Sequence, residues 1–434
     1  MPEPCAAASG GGLPSWVLLD TTARIGRRAN ATTARTLTSA GAAIEVSFEL
    51  ADPPALSHCF VYSPDLTAPP PPPAVNPHPP RVTGADGAFV LIHATFPMRD
   101  GQRLLFDVFI YRAAAGGGGG PGAPPPPSLR LLPRPYPIGL LFNHVGVLSP
   151  CAGDGHCLVV LPHRRFDAAR RYGCDLHIFS TKTGAWSTKA TGDTSWFPHD
   201  HTKVFSVGGG ALAWVDLRHG ILLCDVLGDD EEHEHEHHRP TMHRIRLPPL
   251  LPSNAADLGR GPDGGEPPLD QIRDVTFRDG WFRLVEAELR DLDDDDLTRL
   301  RWTATVFRAR ITAPENWEMC HAVDSAELSP GGACATGDLV PEMWDGEEEK
   351  LTWDKVITLA PTLDTYGGDD DALYMTAKLD VDCPDGWVLA VDAGNKKLEK
   401  VAPFSTRVSF SRTYMQCAFS KYFGNAPASM NTCM

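Results

Sequence analysis

No stretch of this chain approaches the ~18 consecutive apolar residues of a membrane-spanning helix, so no span is expected. Positive charge is scarce. Lys and Arg number 39 against 55 Asp and Glu, a formal net charge of −16. Phosphate backbones and anionic lipid repel such a protein, so neither nucleic acid nor a membrane surface is an expected partner. The densest cationic runs, Arg164-Arg165 with Arg170-Arg171 and Lys396-Lys397 with Lys400, are too short to reverse that. Cysteine is sparse and odd in number, 11 in 434 residues, which excludes a disulfide-stapled scaffold and predicts reduced, mostly buried thiols. The first residues, MPEPCAAASGGG, contain no apolar h-region. Cytosol or nucleus is the resulting expectation. Few long stretches keep a 3.6-residue apolar period, so helices should be minor.

The usual catalytic motifs are also missing. No G-x-x-x-x-G-K-[ST] is present, so no P-loop is expected. The pentaglycine Gly116–Gly120 runs into prolines instead of opening a helix, and no G-x-S-x-G elbow occurs. An acidic run starting at Asp291 places Asp293 and Asp295 in calcium-loop register. It has Asp296 where that loop needs glycine and Trp302 where it needs glutamate. Cys151 and Cys157, with His156 and His163, lack the close cysteine spacing of a zinc knuckle and have no second pair. Asn30-Ala31-Thr32 fits a glycosylation acceptor, which has no chemistry to report without secretion.

One motif does appear. Residues 229–240 read DDEEHEHEHHRP, and His233-Glu234-His235-Glu236-His237 matches H-E-x-x-H. That motif binds zinc when a docked helix aligns both histidines and a dry cavity surrounds them. This tract has no apolar face to dock, and alternating His with Glu produces the match by composition. Adventitious metal binding by His233, His235, His237 and His238 is the most it implies. No catalytic, cofactor-binding or metal residue is therefore expected, and no cofactor.

The chain is rich in short runs of β-branched and aromatic residues bounded by turn signals. They include IEVSFEL (44–50), HCFVYS (58–63), AFVLIHA (88–94), RLLFDVFIY (103–111), CLVVLP (157–162) and DALYMTAKL (371–379). Hairpins are marked by Lys182-Thr183-Gly184, Asp279-Gly280 and Ala393-Gly394-Asn395. Trp186, Trp214, Trp281, Trp302 and Trp387 lie in or beside strands and should fill core. Polar or Gly/Pro-rich inserts fall near 69–80, 113–127, 228–240, 252–268, 290–297 and 326–350, predicted as disordered low-complexity loops. Residues 1–13 read as a disordered N-terminus, 14–424 as a single domain and 425–434 as a flexible tail. Removing roughly 90 insert residues leaves some 330–340, enough at ~40–50 per four-stranded unit for about seven blades. The predicted fold class is mainly β, an irregular β-propeller-like domain. The strand WVLLD (16–20) would complete a C-terminal blade.

Three stretches together carry a resemblance: residues 14–66, 211–250 and 366–398. The most specific mark is W-V-D-L-x-x-G-I-L-x-C-D at Trp214–Asp225, followed by a strand ending at Leu247-Pro248. The chain resembles the plant family called domain of unknown function 1618, abundant in grasses, from Leu13 to about Gly424. The family is similar to the β-propeller-like domains that follow F-boxes in plant proteins. The resemblance implies no shared activity, substrate or catalytic residue. Only 15 residues precede Trp16, too few for an F-box, so a direct ubiquitin-ligase adaptor role is not expected. Asp216 and Asp225 should accept hydrogen bonds that fix the 211–227 hairpin.

Two function classes follow. One is a protein–protein interaction module without catalysis, whose acidic surface favours an unknown, basic partner protein. The alternative is a small-molecule hydrolase or lyase using the central channel. It requires His, Asp, Glu or Arg to converge on one channel mouth with perturbed pKa values.

Overall fold

The computed structural model describes residues 13–67, 78–97, 104–113, 126–133, 145–150, 155–166, 172–193, 203–228, 240–257, 268–291, 300–331, 341–348, 350–353, 355–368, 372–380, 383–405 and 414–423. The His/Glu tract, the pentaglycine and most of the other inserts lie outside them. Strands dominate. The helices among the described residues are single turns such as Pro64–Thr67 and Pro252–Asp257.

Hairpin chemistry builds the sheets. Asp279 and Gly280 take φ of 49° and 79°, the pair of positive angles that a two-residue hairpin requires and that Asp-Gly tolerates. That turn sets Arg278 opposite Trp281 and fixes the register of Arg273–Arg278 on Trp281–Asp291. Leu300–Arg310 and Glu318–Asp324 then extend the same sheet. The described residues form five further blades: four are built on antiparallel meanders, and blade 1 joins Ala34–Leu37, Ala43–Glu49 and Leu56–Tyr62 to Val17–Asp20 and Tyr414–Cys417, so the ring has six blades. Blade 2 begins at Arg81–Asp86, blade 3 at Gly146–Leu148, blade 4 at Lys203–Gly208, blade 5 at Arg273–Arg278 and blade 6 at Ile357–Leu363. Seven blades were expected from length. Six form because hairpins such as Trp281–Asp291 with Leu300–Arg310 are long. The stretch between blades 5 and 6 also builds no sheet of its own beyond Trp344–Asp345 with Lys350–Leu351.

The sequence periodicity now has a physical reason. Each blade is packed on both faces, so its strands read as continuous apolar runs. In Phe89–Pro97, Val90, Ile92, Ala94 and Phe96 face blade 1, whereas Phe89 and Leu91 face blade 3. In Ala211–Asp216, Leu212 and Trp214 face blade 3, whereas Ala213 and Val215 face blade 5. Six such inter-blade cores follow one another, the last joining Tyr374, Val388 and Phe404 of blade 6 to Trp16, Leu18 and Leu56 of blade 1. Full burial of one such side chain contributes about 1.5–3 kcal/mol.

The ring closes opposite to expectation. Val17–Asp20 pairs parallel with Leu56–Tyr62 and antiparallel with Tyr414–Cys417, so the C-terminal strand completes the N-terminal blade. The turn Phe419–Phe423 follows. Phe419 is buried against Phe48, ring centroids 4.8 Å apart, and Phe423 packs on Tyr111. These two aromatics anchor the turn between blades 1 and 2 and hold Lys421 and Tyr422 in place.

Within stretches expected as inserts, Pro252–Asp257 is helical and Ser329–Pro330 pairs parallel with Lys397–Ser405, covering the outer edge of blade 6. A covered edge cannot recruit another strand. The tryptophans divide. Trp214 and Trp302 are fully buried, but Trp186, Trp281 and Trp387 are half-buried. Trp281 lies between the guanidinium groups of Arg308 and Arg310, each 4.6 Å from its ring.

Candidate functional site at the exit face of the propeller

The innermost strands run the same way around the axis, and polar side chains connect them. Lys203 of blade 4 reaches both oxygens of Asp274 in blade 5 at 3.1 Å. Thr362 of blade 6 donates its hydroxyl to Asp274 at 2.5 Å. Gln416, on the closing strand in blade 1, donates to Leu363 O at 2.7 Å and accepts from Thr365 N at 2.8 Å. Asp274 and Thr362 are buried, and each bond crosses a blade boundary, so the chain ties four blades together at the centre.

Where the inner strands end, a second polar set gathers. Asp86 closes the inner strand of blade 2. Its carboxylate accepts Ser149 N of blade 3 at 2.7 Å, together with Gly87 N and the Ser206 hydroxyl of blade 4. A Cβ on Gly87 would stand 3.7 Å from the Tyr422 hydroxyl, which places that phenol beside Asp86. Asp364 ends the inner strand of blade 6. It accepts Gly367 N at 2.6 Å and lies 3.5 Å from Arg278, at the end of blade 5. That bond shapes the loop carrying Tyr366, whose ring centroid is 6.4 Å from Trp16. Asp86, Tyr366 and Tyr422 therefore meet on one face of the ring, called here the exit face.

The electrostatics of this face are unusual for exposed groups. Burial pushes the Asp86 carboxyl up to about 6, against the lowering effect of Ser149 N, Gly87 N, Lys421 and Ser206. Burial also raises Asp364. Tyr366 keeps 43% of its surface accessible, yet surrounding protein raises its phenol, with Cys417, Asp86 and Tyr422 adding to the shift. Burial and the charge of Asp86 raise Tyr422 as well.

The Asp86 shift has a sign that can be tested. A carboxyl held above its ordinary 3.8 makes the ionised form unfavourable in the fold. That cost is complete above about pH 6 and disappears as pH falls towards 3.8. A shift of that size corresponds to about 3 kcal/mol, reduced to roughly 1–2 kcal/mol by partial solvent access and by the weaker hydrogen bonding of an amide. Asp86→Asn should thus be the more stable protein at pH 8, with the gap closing as pH drops through 6. Thermal melts across that range check it. A variant less stable by a pH-independent amount would contradict it.

The stretch Trp214–Asp225 serves the scaffold. Asp216 accepts Arg218 N and His219 N at 3.0 Å each and lies 3.0 Å from His219 Nδ1, which fixes the turn as expected. Asp225 is at the opposite end of the hairpin, paired across from Ala211. It accepts Gly228 N at 2.9 Å, so it holds the strand exit and not that turn. The carbonyl of Leu217 accepts Arg273 Nη1 at 3.1 Å, and Pro248 O accepts Arg273 Nη2 at 2.5 Å. Arg273 also pairs with Glu286 at 3.2 Å, both side chains buried. Glu286 in turn accepts Leu251 N and Asn254 Nδ2 at 2.8 Å each. This network fastens blade 4 to blade 5.

Residues 214–374 match the family described as "Protein of unknown function (DUF1618)". The match runs from Trp214 of blade 4 to Tyr374 of blade 6 and includes the whole Arg273–Glu286 network. No curated protein matches the chain. Among solved structures, an α-L-arabinofuranosidase from Lactobacillus brevis is 11% identical, covering 76% of this chain and 86% of that one, with a TM-score of 0.26. A mannose phosphorylase from Leishmania mexicana is 10% identical over 83% and 84%, with a TM-score of 0.20. A β-fructofuranosidase from Bombyx mori is 11% identical over 93% and 87%, with a TM-score of 0.22. Those scores are too low for these likenesses to bear on function.

The matched residues 214–374 include Asp274, Arg278, Thr362, Asp364 and Tyr366 of the centre and the exit face. Asp86, Ser149, Lys203, Gln416 and Tyr422 come from flanking blades. Sequence reasoning named none of the exit-face residues. The signal available was position, since each lies at or just beyond the end of a blade's innermost strand. Cys157 is buried, its thiol pushed by burial up to about 12, and the His163 ring lies tilted against His177 in the same blade, centroids 5.6 Å apart. Among the described residues, no group of three or more His, Cys, Asp or Glu is placed to hold a metal ion. Five of the seven cysteines among them are buried. No helix among those residues is long and apolar enough to cross a membrane.

Proposed function

We propose that the protein is an interaction module that docks a basic partner protein on its exit face and performs no chemistry of its own. The observation that carries this reading is Tyr366, an exposed aromatic held against Trp16 at the end of blade 6 and near enough to Asp86 for that carboxylate to act on its phenol. Aromatic rings on a rigid frame supply contact area at little entropic cost, which suits recognition. The net charge of −16 steers basic partners towards the surface. Around the site, Asp274 and Asp364 are engaged by Lys203, Thr362, Gly367 and Arg278, an arrangement that stiffens a platform. Affinity capture from source tissue compares the tagged protein with Tyr366→Asp. A partner recovered by the native protein and lost with the variant, at unchanged melting temperature, supports docking here. A partner set indifferent to Tyr366→Asp contradicts it.

One observation favours the hydrolase or lyase reading: a carboxyl held at about 6 can accept and return a proton at physiological pH. That reading requires turnover of ester or glycoside substrates that disappears in Asp86→Asn. Turnover retained by the variant removes Asp86 from any such role.

A further inference from the structure

The exit face has a carboxylate that no cation among the described residues hydrogen-bonds. Arg278 and Lys203 are drawn to Asp364 and Asp274, and Arg283 donates to Asp364 O. Among the described residues, the donors to Asp86 are neutral: Ser149 N, Gly87 N and the Ser206 hydroxyl. A carboxylate offers about four acceptor positions, so one remains. The Tyr422 hydroxyl stands close to the adjacent Gly87, and aromatic faces attract ammonium and guanidinium groups.

The nearest cation belongs to the chain itself. Lys421 is exposed, its ammonium lies 5.2 Å from the Tyr422 ring centroid, and its charge acts on Asp86 without a hydrogen bond between them. The turn Phe419–Phe423 tethers it, pinned by the buried Phe419 and by Phe423 on Tyr111. A tethered lysine over a tyrosine face beside a desolvated carboxylate is the arrangement an incoming lysine or arginine would reproduce with closer contact.

We infer that the exit face recognises a cationic side chain, and that Lys421 occupies the position of that ligand until a partner's lysine or arginine displaces it. This rests on the exit-face reading above and adds the ligand class and a built-in competitor. Removing the competitor should strengthen binding, whereas removing the carboxylate should weaken it. Both follow from electrostatics at a partly solvated site, where one charge pair is worth up to about fivefold in affinity.

The test titrates a lysine-rich peptide, and the same peptide with every lysine acetylated, against four proteins at fixed ionic strength. These are the native chain, Lys421→Gln, Asp86→Asn and the double variant, each checked for an intact melting transition. Lys421→Gln should bind the peptide about fivefold more tightly than the native chain. Asp86→Asn should weaken binding by a similar factor and cancel the gain from Lys421→Gln in the double variant, and the acetylated peptide should bind none of them. Unchanged or weaker binding by Lys421→Gln overturns the inference, as does a double variant that keeps the gain. If Tyr366→Asp still loses its captured partner while Lys421→Gln changes nothing, the docking face stands and the cation site falls.

Discussion

Arg273→Met should lower the free energy of unfolding by about 3–5 kcal/mol, the size of effect seen when one member of a buried ion pair is removed. The guanidinium joins three chain segments at once. It pairs with Glu286, donates to Leu217 O at the blade 4 turn and donates to Pro248 O on the following connection. Methionine has similar volume and no donors, so packing is nearly conserved and electrostatics are lost. Glu286 would then be a fully buried carboxylate with only Leu251 N and Asn254 Nδ2 to stabilise it. The buried Leu217 carbonyl and the part-buried Pro248 carbonyl would lose donors as well, the former worth about 1–3 kcal/mol if water cannot reach it. Denaturant unfolding reads the effect as a lowered midpoint at constant slope. A loss below about 1 kcal/mol would show that the network relaxes and does not fasten the blades.

Gly220→Ala should be nearly as damaging, for a steric reason. Gly220 has φ of 139°, and an added Cβ would stand 2.4 Å from Ile245 O. That carbonyl belongs to Met242–Ile245, the outer strand of blade 4, which pairs with Gly220–Asp225 at Ile221↔Ile245. The contact is with backbone, so no side-chain rotation relieves it and the outer strand must shift. A backbone conformation that L residues rarely adopt adds about 1–3 kcal/mol to the clash. The total expected loss is about 3 kcal/mol or more, with amide exchange accelerated in Met242–Ile245. Gly280→Asn provides the contrast. Gly280 has φ of 79° with nothing within 4 Å of an added Cβ, and asparagine tolerates that angle. It should lose well under 1 kcal/mol. Equal losses at the two positions would refute the steric account.

Much of the scaffold was legible because local rules and global packing agree. Runs such as AFVLIHA are apolar without alternation since both faces of a blade are buried, and Asp279-Gly280 marks a turn by backbone angle alone. The number of blades was not legible, because inserts and long hairpins change the spacing that a residue count assumes. The direction of ring closure was hidden as well. Val17–Asp20 carries no mark saying whether it borrows a strand or lends one. Asp225 was misplaced for a related reason. Aspartates at both ends of a hairpin look alike until the register sets Asp216 opposite Gly220 and Asp225 opposite Ala211. The exit face was the least legible. Asp86, Ser149, Tyr366 and Tyr422 are ordinary residues scattered along the chain, and only the circular arrangement of blades brings them together. The conspicuous stretch Trp214–Asp225 serves packing and turn geometry, with Trp214 in the core between blades 3 and 4 and Asp216 fixing the turn.

The central claim is that recognition occurs where the inner strands end. Hydrogen exchange with and without a saturating lysine-rich peptide tests it most directly. Slowed exchange at Asp86–Ala88, at Ser149, over Tyr366–Gly368 and over Phe419–Phe423, with the outer strands unchanged, is the predicted result. Protection confined to the outer strands Glu318–Asp324 or Met242–Ile245, or no protection at saturation, would contradict it.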